Sequence, residues 1–122
     1  MTLQLKLEKV LQKDLQLFKC AINHYSGTLQ FLLETSDNKI YAKDLSITVE
    51  LWYEINKKTV QQHPAEKSKV KLSLHKAYVL LDALKNYSCS NITDYEKSRC
   101  NRYFMAIDQQ LPTFTQLAIT LK

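Results

Sequence analysis

Glycine is nearly missing from this chain: one residue, Gly27, in 122, alongside two prolines. Tight turns, hairpins, bulges and phosphate-cradling loops draw on glycine's freedom at positive φ. A chain this poor in glycine should turn rarely, and long helices turn least. The same scarcity rules out the glycine-rich dinucleotide and P-loop motifs, and neither a GxSxG elbow nor an HExxH metal motif occurs. No stretch reaches the roughly 20 apolar residues of a membrane span. The N-terminal MTLQLKLEK carries charges every few residues and no apolar core of a signal peptide. Cysteine comes as an odd three, Cys20, Cys89 and Cys100, without a CxxC pair. Reduced thiols in a cytoplasmic protein are the expectation, with Cys20 and Cys100 on apolar stripes and in the core. The sequon Asn91-Ile92-Thr93 would then stay unmodified. Arginine is scarce too: Arg99 and Arg102 stand against fifteen lysines.

What remains is 45% hydrophobic and 24% charged, a globular balance that suits one domain over 1–122 and a core without staples. The net charge of +5 is unevenly placed. Between Asn56 and Lys76 six lysines (Lys57, Lys58, Lys67, Lys69, Lys71, Lys76) face one acid, Glu66, so this window carries the whole +5. The eleven bases outside it are matched by eleven acids.

Periodicity predicts four helices. The first runs from about Leu3 to Thr35, with Leu11, Leu15, Phe18, Ile22, Tyr25, Leu29 and Leu32 spaced by fours and threes, and a kink or close approach at Ser26-Gly27. Ser36-Asp37-Asn38 is a turn cluster. The second runs from about Lys39 to Gln62 with the stripe Tyr41, Leu45, Val49, Trp52, Ile55, Val60. Alternation over 45–55 fits a strand as well, but Trp52 breaks its polar face. The third begins at Pro64, tolerated at a first helical position, and follows Val70, Leu74, Ala77, Leu81 and Leu84. A strand at Val70-Lys71-Leu72, with Ser73 capping a later helix, competes with it. The fourth opens on Thr93-Asp94-Tyr95-Glu96, a capping box, carries Cys100, Phe104, Ile107 and Leu111, and stops at Pro112. Thr113 with Gln116, and Phe114, Leu117 and Leu121, suggest a short fifth helix.

The expected fold is therefore all-α: an up-and-down four-helix bundle with a short C-terminal fifth helix. The alternative is α+β, with a small sheet built from the alternating stretches Leu3–Leu7, Leu45–Tyr53, Val70–Leu74 and Leu117–Leu121.

Chemistry is thin. His24 and His75 flank apolar stripes, His63 reads as an exposed cap residue, and Glu50 and Glu54 lie one turn apart. Together His24, His75, Glu50 and Glu54 could be drawn into a carboxylate–histidine metal site, yet the Glu-x-x-His of di-iron bundles does not occur. No catalytic residue, cofactor, metal or small-molecule substrate is expected, and the chain is read as a non-enzyme. Trp52 and Tyr53 point about 100° apart on a helix, so one can be buried while the other serves as an aromatic interface. The lysine window lacks the arginines that fork onto phosphate and the aromatics on which bases stack. It reads first as a solvated hairpin tip and second as a basic patch for non-specific nucleic-acid contact. The functional expectation is a cytoplasmic protein-interaction or adaptor module that binds a protein partner or itself as a homodimer. The alternative is a nucleic-acid-binding accessory protein using Lys57, Lys58, Lys67, Lys69, Lys71 and Lys76. No membrane association is expected.

Overall fold

The structure, a computed structural model, describes residues 4–36 and 38–111. Its elements run β1 (Gln4–Val10), α1 (Gln12–Ser36), α2 (Lys39–Gln61), β2 (Ser68–Ser73), α3 (Leu74–Ser88) and α4 (Asp94–Gln110). Four helices dominate, as the periodicity predicts. The two strands are a correction to the all-α expectation. The stretch read as the start of the first helix is β1, and the stretch read as the start of the third is β2.

β1 and β2 pair antiparallel, with Leu5 opposite Leu72, Lys6 opposite Lys71 and Leu7 opposite Val70. Alternation explains both. Leu5, Leu7, Val70 and Leu72 are buried, while Lys6, Glu8, Lys69 and Lys71 face outward. The pairing covers two parts of the α+β alternative, Leu3–Leu7 and Val70–Leu74. A third part, Leu45–Tyr53, is helical, and the fourth, like the fifth helix, lies outside the described residues. A bulge separates the Leu7–Val70 pair from Val10–Ser68, and Lys9 in it adopts φ 57°, the left-handed region that favours glycine. Glycine poverty thus does not forbid a sheet here. The strands are not a hairpin, and the bulge uses a lysine.

The helices keep most of the predicted faces. Leu15, Phe18, Ile22, Tyr25 and Leu29 of α1 are buried, and Gly27 has open space around it, so no close approach requires a glycine there. In α2 the buried line is Thr48, Leu51, Ile55 and Thr59, whereas Val49 and Val60 of the predicted stripe are exposed. The two threonines can sit in the core because each hydroxyl donates to a carbonyl one turn back, Thr48 to Asp44 at 2.6 Å and Thr59 to Ile55 at 2.7 Å. α4 opens on the predicted capping box: Glu96 N–H donates to Thr93 Oγ1 at 3.1 Å, and the Glu96 carboxylate accepts from Thr93 N–H. Tyr103 rather than Phe104 is its buried aromatic. Cys100 is in the core, but Cys20 is exposed, contrary to expectation.

One core cluster draws on all six elements. Two polar knots sit at its edge. At the first, the buried Gln62 donates to the Val10 and Glu66 carbonyls and accepts from Ser68 Oγ, while Gln12 donates to the carbonyls of Thr59, in the last turn of α2, and of Gln62, its C-cap. This ties the end of α2 to the ends of both strands. At the second, Asp14 is 2% exposed and accepts from both Arg99 Nε, at 3.1 Å, and Tyr103 Oη, at 2.6 Å. Burial alone would raise the Asp14 pKa. The hydrogen bonds from Arg99, Tyr103 and the Leu11 N–H outweigh it and hold the carboxyl below its usual range.

Candidate functional site

The lysine window does not form one patch. Lys76 ion-pairs with both Glu50 and Glu54 of α2, its side chain only 12% exposed, and Lys69 reaches across the sheet to Glu8 at 3.5 Å. Lys67 lies on the connection before β2. Lys57, Lys58 and Lys71 come together along a cleft of about 290 Å³ between the last turns of α2 and β2. Glu54, Ile55, Gln61, Val70 and Leu72 complete its lining. The window is therefore not the joint of a helical hairpin. Its second arm begins as a strand, because Val70 and Leu72 alternate with lysines and have the leucines of β1 to pair with.

The cleft runs along the edge of the strand. Val70, Lys71 and Leu72 are consecutive, so their side chains point to alternate faces; what a common cleft shares with all three is the backbone edge.

Trp52 and Tyr53 occupy different environments. Trp52 is half-buried, its ring edge-on to Tyr53 at 5.3 Å and covered by the Lys19 ammonium at 5.5 Å. Tyr53 is 64% exposed. Val49, four residues before it, and Val60, seven after, share its face of α2, and Val60 is 76% exposed. This apolar stripe borders a second cleft of about 250 Å³, walled on the α1 side by Asn23 and Ser26. Periodicity puts Val49 and Val60 on the stripe expected to face the core, whereas both are exposed. The two core threonines on the neighbouring face are the signal that could have revealed this, since threonine can satisfy its own hydroxyl within a helix.

The histidines do not converge with the glutamates. His24 packs edge-on to Tyr87 at 5.7 Å, His63 Nδ1 accepts from the Ala65 N–H at 3.2 Å, and His75 lies beside Ser73. Glu50 and Glu54 are engaged by Lys76. Among the described residues no three histidine, cysteine or acidic side chains cluster as metal ligands, and no helix is long and apolar enough to cross a membrane.

No protein-family model matches the chain, and no curated protein or solved structure matches it either.

Proposed function

We infer that the chain is a non-enzymatic protein-interaction module, a single unit framed by an up-and-down set of helices, and that it self-associates through the outer face of α2. The observation that carries this is the Val49–Tyr53–Val60 stripe, three large apolar side chains exposed on one helix face. Exposed apolar residues are ordinary when scattered, as Phe31, Ile40, Tyr95 and Met105 are here on α1, α2 and α4. Three on one helix face with a tyrosine among them are different, because tyrosine anchors interfaces well.

Charge favours a second copy as the occupant. A two-fold axis near Tyr53 runs α2 antiparallel to its copy and brings Glu50 of each chain, which shares the single Lys76 cation with Glu54, toward Lys57 of the other. Both residues flank the stripe on the same side, and such self-complementarity is what a two-fold interface requires.

The test is light scattering at micromolar concentration on the wild type and on Tyr53→Glu. The wild type is expected at the mass of two chains and the variant at one, with the same far-ultraviolet circular dichroism spectrum for both and a melt that rises with concentration only for the wild type. A wild type that stays monomeric overturns the reading.

A further inference from the structure

The two edges of the small sheet are treated differently, and the difference can be read from hydrogen bonds. On β1, the Gln110 side-chain amide from α4 accepts from Lys6 N–H at 3.0 Å and donates to Lys6 C=O at 2.9 Å, standing in for a neighbouring strand. Lys6 therefore points its backbone away from β2. In an antiparallel ladder, facing residues either exchange both hydrogen bonds or both point outward. Lys71, the partner of Lys6, must then turn its own N–H and C=O outward, along the free edge of β2. Among the described residues no group hydrogen-bonds to them there. This is the edge that the Lys57–Lys58–Lys71 cleft follows.

From this we propose that β2 accepts an extended acidic peptide from a protein partner as a third strand, seated in the cleft between β2 and the end of α2. Three features select that occupant. An added strand gains main-chain bonds from Lys71 and places alternate side chains on alternate faces. On the outer face those side chains meet Lys71 and Lys69; on the inner face they meet Val70, Leu72 and Ile55. The matching sequence thus alternates acidic and apolar residues. The one acid lining the cleft, Glu54, is ion-paired with Lys76, and three lysines, Lys57, Lys58 and Lys71, leave the cleft basic. A second copy of the same edge is disfavoured, because edge-to-edge pairing sets lysine against lysine. Nucleic acid lacks the alternating N–H and C=O groups that the edge offers to match.

The inference deepens the reading of the chain as an interaction module, but it fails separately. Glu54, Lys58 and Gln61 lie about 80–140° around α2 from Tyr53, and Lys71 is on β2; only Lys57 borders both faces, so Tyr53→Glu leaves the strand edge and the rest of the cleft intact. The experiment titrates the full chain with a fluorescent peptide of nine residues alternating glutamate and valine. It adds two N-methylated versions, one methylated on every glutamate and one on every valine. Successive strand residues send their N–H to opposite sides, so one methylated peptide should bind at least tenfold more weakly and the other about as well as the parent. Lys58→Glu with Lys71→Glu, which spares the Lys57 of the two-fold interface, should also weaken the parent peptide at least tenfold. The Lys71 amide should exchange with solvent more slowly in the complex. Three results would overturn the proposal: no binding of the parent peptide, equal binding of both methylated peptides, or tighter binding of duplex or single-stranded nucleic acid at the same salt.

Discussion

Asp14 is a buried carboxylate held by Arg99, Tyr103 and a backbone N–H, and its removal should be felt across the molecule. It joins the start of α1 to α4, eighty-five residues on. Breaking a buried ion pair by removing one partner typically costs about 3–5 kcal/mol. Because the Arg99 side chain remains 18% exposed, Asp14→Asn should fall at the low end, about 3 kcal/mol at neutral pH by urea unfolding. The pH dependence has a definite sign. The folded-state pKa lies below the ordinary 3.8, so the stabilisation is complete above that value and is lost as pH falls through the lower, folded one. The gap between wild type and Asp14→Asn should close in acid; a gap that persists there would assign the loss to packing instead. Two other residues show where side-chain type misleads. Cys20, expected in the core from its place on an apolar stripe, is exposed, and Tyr103, a polar aromatic, is buried with Asp14 as partner for its hydroxyl.

Among the elements, α4 was the most legible. Thr93 and Glu96 at the right spacing announce its start, and both halves of the capping box are formed. Thr93→Ala should cost about 1 kcal/mol, measured by thermal or urea unfolding. An unchanged stability would mean that tertiary packing alone sets this helix end. α1 beyond Leu11, and α2, follow from periodicity, with the face of α2 misjudged at Val49 and Val60. β1 and β2 were legible only as an alternative. Scarce glycine weighs against tight hairpins, but these strands are joined through two helices, so their pairing needs no tight turn. Nothing local in QLKLEKV reveals that its partner is SKVKLS. The cleft shares this limit: Lys57, Lys58 and Lys71 could be seen as clustered in sequence, but their convergence beside a strand edge depends on the long-range pairing and on the Gln62 knot.

For the molecule as a whole, the sheet is its most non-local feature. Leu7 and Val70 pair across sixty-three residues, while α1 and α2 are near neighbours in sequence and pack extensively on each other. Closing a long loop must precede the contacts that reward it, so the strands should join late. Leu7→Ala should destabilise the fold by about 2–5 kcal/mol. Most of that loss should appear as faster unfolding, with refolding little changed, in a stopped-flow denaturant series. A refolding limb slowed as much as the unfolding limb is speeded would place the sheet in the early nucleus.

The same separation matters while the chain is being made. β1 leaves the ribosome about sixty residues before β2, and at roughly 5–20 residues per second the interval is on the order of several seconds. Through that interval Leu5, Leu7 and Val10 have no strand to pair with, and neighbouring nascent chains carry the same segment. Lys6, Glu8 and Lys9 interrupt the apolar residues of that waiting strand, as gatekeepers against aggregation do.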